Sequence, residues 1–262
     1  MRSKVTTVLA SGLAILVGAG LLYAATLPAV GWWKFDEPNG VVANDASGFN
    51  HNGTLYGSAA FVQDADMGNV LQIYGPSGEV SVPHDASFEP ETGTVEIWVK
   101  TNGVQNADIV RKTTDFLMNR KESGTFYAYG IRIRRDGSVE AIITDDDLAS
   151  NQSFVSVRTK ASAVKQNQWI HLALRWDGTT AALFVNGKLA TASTYTPIPN
   201  IGLSYHGTSD LKVGSLWGDL EFNGSLSDLR IYNSALSEAD INSHYSAKTS
   251  VSAKAAKGGK TR

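Results

Sequence analysis

Glu96, Trp98 and Lys100 occupy alternate positions in a run that reads Thr-Val-Glu-Ile-Trp-Val-Lys from residue 94. An extended chain sends successive side chains to opposite faces, so these three share one face while Val95, Ile97 and Val99 share the other. By the same parity Arg132, Arg134 and Glu140 join them, as do His171 and Arg175, which alternate with Ile170, Leu172 and Leu174. A tryptophan plane among charged groups suits a saccharide. The indole covers sugar C–H surface, and the polar groups fix hydroxyls. The arginines would favour an acidic glycan. A structural reading of the same residues stands beside this one: Trp98 fills the interior and the charges pair across strands as solvated ladders. Tyr205, His206 and Trp217 lie in loop-like stretches among Gly and Ser and are further contact candidates, although Trp217 suits loop anchoring equally well. Trp32, Trp33, Trp169 and Trp176 are assigned to the core.

Catalytic chemistry is harder to assemble. Retaining glycoside hydrolysis needs two carboxyls about 5–5.5 Å apart, which acids at nearby same-face positions of one strand would supply. The same-face neighbours of Glu96 are Trp98 and Lys100, and those of Glu140 are Ile142 and Thr144. Asp145, Asp146 and Asp147 are consecutive, so they cannot all face one cleft and read as a solvated loop. Arg132 and Arg134 near His171 are the nearest approach to a general base with cationic helpers. There is no Gly-x-Ser-x-Gly elbow, no phosphate-cradling glycine loop and no histidine pair at zinc spacing. With no cysteine, thiolate ligands and cysteine nucleophiles are excluded. The expectation is a binding protein rather than an enzyme.

The elements that must position these residues are mostly strands. Asp136-Gly137 sits between the runs 127–134 and 139–143, and Asn186-Gly187 between 182–185 and 188–192. Both dipeptides tolerate the positive φ of tight hairpin turns. Asp177-Gly178 marks another turn. One short helix is expected after Ser237, whose hydroxyl caps a first turn carrying Glu238 and Asp240 in a capping box with Asp in place of Glu. Residues 247–262 carry cations, no acids and little to bury, and read as a disordered basic tail. At the other end, Arg2 and Lys4 precede an uncharged run over residues 5–25 that closes on Ala24 and Ala25. This is the pattern of a secretory signal, with an uncleaved anchor as the alternative. The domain proper is expected over residues 28–246, outside the cytoplasm: secreted, periplasmic or at the cell surface. At 262 residues, 42% hydrophobic and 18% charged, the chain can bury a large core without disulfides. A net charge of −2 gives no general attraction to nucleic acid or anionic membrane.

Several segments resemble a known family. Gly31-Trp32-Trp33-Lys34-Phe35-Asp36-Glu37, Asp45-Ala46-Ser47-Gly48 and Asn52-Gly53-Thr54-Leu55 look like the opening of laminin-G-like domains of the concanavalin A-like lectin/glucanase superfamily. Residues 94–100, the hairpin 168–188 and the closing run 224–237 are similar to its later strands, in family order. The resemblance implies an all-β jelly-roll β-sandwich of two curved antiparallel sheets with one short C-terminal helix. The glucanases' Glu-x-Asp-x-x-Glu strand is absent, as are the lyase signatures. The resemblance also implies a structural calcium between the N-terminal segment and the closing strand, at Asp36, Asp45, Asn50 and Asp228, with Gly53 as a carbonyl donor. Hard cations take such oxygen ligands. Rival roles are a turn for Asp45 and a salt bridge to Arg230 for Asp228. The function expected is a secreted or cell-surface carbohydrate-binding or adhesion module, its partner a glycan or an extracellular protein. The alternatives are a protein-interaction scaffold of the cell envelope and a divergent glycoside hydrolase or polysaccharide lyase using Glu96 or His171.

Overall fold

The structure, a computed structural model, describes residues 28–75, 77–103, 107–113, 127–144, 154–194, 209–214 and 222–258. In chain order the strands are β1 (Gly31–Trp33), β2 (Val42–Ala43), β3 (Gly53–Tyr56), β4 (Ala59–Asp64), β5 (Gly68–Ile73), β6 (Glu79–Val82), β7 (Gly93–Thr101) and β8 (Ala107–Thr113). They continue with β9 (Tyr127–Ile133), β10 (Val139–Thr144), β11 (Phe154–Arg158), β12 (Ile170–Trp176), β13 (Thr180–Val185), β14 (Lys188–Thr194), β15 (Leu211–Val213) and β16 (Gly224–Tyr232), followed by the helix α1 (Glu238–Gly258). The first sheet runs β14-β13-β12-β7-β16-β5-β4 with β1 also paired to β16, and the second runs β11-β10-β9-β8-β15-β6-β3-β2. Every pairing is antiparallel. The fold is a jelly-roll β-sandwich.

Alternation along the strands builds the core as expected. Val95, Ile97 and Val99 of β7 and Ile170, Leu172 and Leu174 of β12 meet Ile131, Ile133, Val139 and Ala141 of the second sheet. Trp33 and Trp176 are fully interior, with Trp176 against the Tyr129 ring at 5.2 Å. On β16, Leu226 and Leu229 both face this core although three positions apart. A bulge permits it: the register against β7 shifts between Ser227 and Arg230, and Asp228 takes φ 55°.

Asn186 and Gly187 adopt φ 51° and 74°, and Val185 pairs directly with Lys188, the two-residue turn the sequence specifies. The Asp136-Gly137 turn is looser than expected. Only Gly137 has positive φ, and five residues separate the paired Ile133 and Val139.

The first sheet is strongly curled. From β12 to β4 there are four strand-to-strand steps, about 19 Å on a flat sheet at ~4.8 Å each. Yet Trp169, one residue ahead of β12, donates from its indole Nε1 to Asp64 at the end of β4 at 3.0 Å. Lys100 of β7 ion-pairs with the same carboxylate. The edge hairpin therefore arches over the face of the sheet that looks away from the core, making a trough.

The helix lies in that trough. Leu236 and Ile241 pack with Ala173, Ala182, Phe184 and Tyr232 in a second apolar cluster. A Cβ at Gly187 would stand 3.0 Å from the Asn242 Cα, so the hairpin turn also seats the helix. Ser237 Oγ accepts from the Asp240 amide at 3.1 Å, and Asp240 Oδ2 accepts from the Ser237 hydroxyl and amide at 2.6 and 3.3 Å, a reciprocal capping box. The expected disordered tail is corrected in part: the helix continues to Gly258. Once its first turns are anchored, each further Ala or Lys adds a hydrogen bond at little entropic cost. Trp176→Ala should lower stability by about 3–5 kcal/mol, read as a fall in the urea midpoint with an unchanged m-value.

Candidate functional site

The trough, rather than an open sheet face, holds the chemistry. Glu96, Trp98 and His171 face away from the core as parity requires, but α1 covers them, leaving 1%, 3% and 2% exposed. His244 Nδ1 lies 2.8 Å from Glu96 Oε2, and the Tyr245 ring stacks on Trp98 at 5.5 Å. The expectation that Trp98 offers an open platform is thus overturned, because the closing helix buries it. Arg175 is half-buried on the same face, 3.7 Å from Asp177 and over the Phe184 ring. Arg132 and Arg134 stand on the second sheet, 3.8 and 3.4 Å from Glu140. The expected set is therefore split between two sheets and is not one site. Tyr205, His206 and Trp217 lie outside the described residues.

Two tryptophans assigned to the core line the trough instead. Trp32 and Trp169 are each only partly buried. Trp32 donates from Nε1 to Asp228 Oδ1 at 2.6 Å. Arg230 binds both oxygens of Asp228 at 3.1 and 3.0 Å, and its guanidinium lies 4.6 Å from the Trp32 ring centre. Parity carries the missed signal. Trp32 and Trp33 are adjacent, so only one can face the core, and Trp169 alternates with the interior Ile170.

A cavity of about 650 Å³ opens beside Trp32, bounded by Asp228 and Arg230 of β16, the β4–β5 turn at Asp66 and Met67, and His244 and Lys248 of α1. The bulge aims Asp228 into this space, and the Asp228 amide donates to the Lys34 carbonyl at 3.1 Å. Burial pushes the Asp228 carboxyl up, but the Arg230 and Lys248 charges and the Trp32 bond outweigh it and hold it below the usual range. Under the helix the balance reverses for Glu96: burial raises it despite the His244 bond and charge. Burial likewise raises the Tyr232 phenol to about 12.

The implied calcium positions do not form a coordination site. Asp45 accepts from the Trp32 amide, the Ser47 amide and hydroxyl and the His51 amide, at 2.6–2.9 Å, and its side chain has no exposed area. Asp228 is consumed by Trp32 and Arg230. Asp36 is exposed, and Asn50 accepts from Asn52. Among the described residues no three acids or histidines stand together to hold a metal ion. Four protein donors fill the Asp45 carboxylate and Asp228 is paired with Arg230 and Trp32, so these residues as placed do not fit calcium.

Burial lowers the His171 imidazole from 6.5 to about 3. As pH falls below 6.5 the unfolded chain takes up a proton that the folded protein excludes, so stability declines towards the folded value. By pH 5 the loss from this residue should be about 2 kcal/mol. The Asp228 charge opposes the shift, while Arg230 and His244 reinforce it. Urea melts at pH 7 and 5 should show the loss in the native protein and a smaller one in His171→Asn. Glu96 acts in the opposite sense but is common to both proteins.

Comparison with known proteins fits this architecture. No curated protein matches the sequence. Similar folds occur in domain 4 of an extracellular arabinanase from Geobacillus stearothermophilus, solved in complex with arabinotriose (TM-score 0.57, 18% identity, 82% of this chain and 97% of that one). The receptor-binding domain of botulinum neurotoxin C/D mosaic serotype is similar at TM-score 0.61 and 18% identity, over 84% of this chain and 51% of its own. Trypanosoma rangeli sialidase in complex with the inhibitor DANA matches at 0.62 and 15%, over 83% of this chain and 32% of the enzyme. The chain thus spans about half of the neurotoxin domain and a third of the sialidase. Among the described residues no helix is long and apolar enough to cross a membrane. A family model matches residues 75–242, more than half of the sequence, and with it the chain belongs to the concanavalin A-like lectin/glucanases superfamily.

Proposed function

We propose that this protein is a secreted or cell-surface carbohydrate-binding module, and that it recognises its glycan in the trough beside α1 without cleaving it. The observation that carries the reading is the Trp32–Asp228–Arg230 arrangement on the wall of a 650 Å³ cavity. That volume suits a small-molecule site. The indole is held by its Nε1 and by the Arg230 guanidinium and Lys34 ammonium, 4.6 and 4.8 Å from its ring centre, so it is ordered before a sugar arrives and little ordering is left to be lost on binding. Aspartate, lysine and histidine groups around it match hydroxyls.

Binding rather than hydrolysis is supported by the state of the acids. Asp228 and Asp64, the buried carboxylates of the cavity wall, are each ion-paired and held ionised. Neither has a proton to give a leaving group. Glu96, whose burial favours the protonated form, lies beneath the helix rather than on the cavity wall. The arabinanase domain solved with arabinotriose supports a glycan ligand, and with the apolar N-terminal run it supports export. Calcium has no part in the proposal.

A second reading, contact with an extracellular protein, draws on a different surface. Val41, Val42 and Tyr56, at the β2 edge of the second sheet, are 62%, 44% and 53% exposed.

An array of plant, bacterial and animal glycans should yield at least one ligand, with affinity then measured by calorimetry. Trp32→Ala should weaken it about tenfold or more while unfolding stays cooperative. An array that retains no sugar, or a Trp32 variant that binds as tightly as the native protein, would end the glycan reading.

A further inference from the structure

The Trp32 arrangement occurs twice. Trp169 Nε1 donates to Asp64 Oδ1 at 3.0 Å, Lys100 ion-pairs with Asp64, and the Lys100 ammonium lies 5.1 Å from the centre of the same indole. Indole, buried aspartate and a cation over the ring thus repeat with residues from different strands: β1 and β16 in one case, and β4, β7 and the residue before β12 in the other. Asp64 also accepts from the amides of Asp66 and Met67, so the second arrangement orders the turn between β4 and β5. Burial opposes ionisation of Asp64, but the Lys100 and Trp169 bonds and the Asp66 amide outweigh it. Such a group keeps both the ring and the turn in one orientation.

Trp169 faces its own cavity of about 450 Å³, whose other walls include Asn167, Gln168, Asn186 and Tyr245. Asp66 and Met67 line both this cavity and the one beside Trp32. The two spaces therefore adjoin at the turn, with one fixed indole in each.

We propose that the Trp169 cavity is a second sugar subsite and that the ligand is a linear, uncharged oligosaccharide lying on both indoles and passing the Asp66–Met67 turn. The proposal rests on the glycan-binding reading of the Trp32 cavity. Its chemistry follows from the walls. Amides at Asn167 and Gln168 donate and accept, and Asn186, whose Oδ1 accepts from the His171 amide at 3.0 Å, keeps its NH2 to donate, matching hydroxyls rather than an ionic group. Asp66 is exposed at the junction, where it accepts from hydroxyls and repels a carboxylate. Each indole carries a cation over its ring, Arg230 and Lys34 at Trp32 and Lys100 at Trp169, and offers its remaining apolar surface to the C–H face of one sugar. Two rigid platforms on one scaffold reward a chain that reaches both, because the second contact is then intramolecular.

The test is calorimetry on the full chain with mono-, tri- and hexasaccharides of the arabinose, xylose and glucose series. In the series that binds, affinity should rise at least tenfold from monosaccharide to hexasaccharide. Trp169→Ala should abolish that rise, with a smaller loss of monosaccharide affinity through its tie on Asp64 and the Asp66–Met67 turn, whereas Trp32→Ala should weaken every length. Gln168→Ala alters an exposed wall outside the indole–aspartate–cation group and should cost the hexasaccharide a few-fold, which keeps the question open to test if Trp169→Ala fails to fold. A hexasaccharide that binds no more tightly than the monosaccharide, or one indifferent to both variants, overturns the second subsite even if Trp32→Ala still weakens binding. Failure of every length in every series overturns the subsite together with the glycan reading beneath it.

Discussion

The Asp64 carboxylate holds the molecule's functional shape. It sits at the end of an edge strand and is bound by Trp169, one residue ahead of β12, and Lys100 of β7, positions that a flat sheet would place well out of reach. Without that contact the edge hairpin would have no tie across the sheet and the trough would lose a wall. Its charge is favourable because it is matched: a buried carboxylate lacking its cation would cost several kcal/mol, whereas here an ammonium and an indole N–H satisfy it. The curl is therefore held by a polar clamp on one side of the sheet and by the hydrophobic core on the other.

The helix completes the shape by a different balance. Leu236, just ahead of the helix, and Ile241 of its first turn are buried against small residues, Ala173 and Ala182, which let the helix approach the sheet. Its next turn sets His244 on Glu96 and Tyr245 on Trp98. Among the described residues, Glu96 Oε1 and His171 Nδ1 are left buried without a protein partner. Polar groups in that state are costly, so the helix is held by apolar burial and ring stacking against an electrostatic cost. The same helix converts an open sheet face into two bounded cavities by supplying His244 and Lys248 to one and Tyr245 to the other.

The candidate calcium positions illustrate how one residue set can serve two chemistries. Asp45 and Asp228 flank Trp32, one on its amide and one on its ring nitrogen. Their oxygens are taken by that tryptophan and by Ser47, His51 and Arg230 rather than by a metal ion. Asp45, filled by four N–H and O–H donors, and Asp228, neutralised by Arg230, offer little to a hard ion that wants six or more oxygens. The acids that resemble a metal site act here as supports for an aromatic surface.

Much of this architecture was legible in the residues alone. Alternation of Val95, Ile97 and Val99 with Glu96 and Trp98 determined which face met the core, because a strand's side-chain period is two. Asn186-Gly187 determined a two-residue turn, since only such residues tolerate two positive φ angles. Ser237 and Asp240 determined where the helix starts. What covered the outward face was not legible, because burial there comes from a segment some 140 residues further along the chain. The sandwich's two sheets are equivalent to local parity, so parity alone groups Arg132 and Arg134 with Glu96 although they lie on the other sheet. Trp32 and Trp169 carried the right parity but looked like core residues by size. Only the curl of the sheet, a long-range contact through Asp64, decided that they face a cleft.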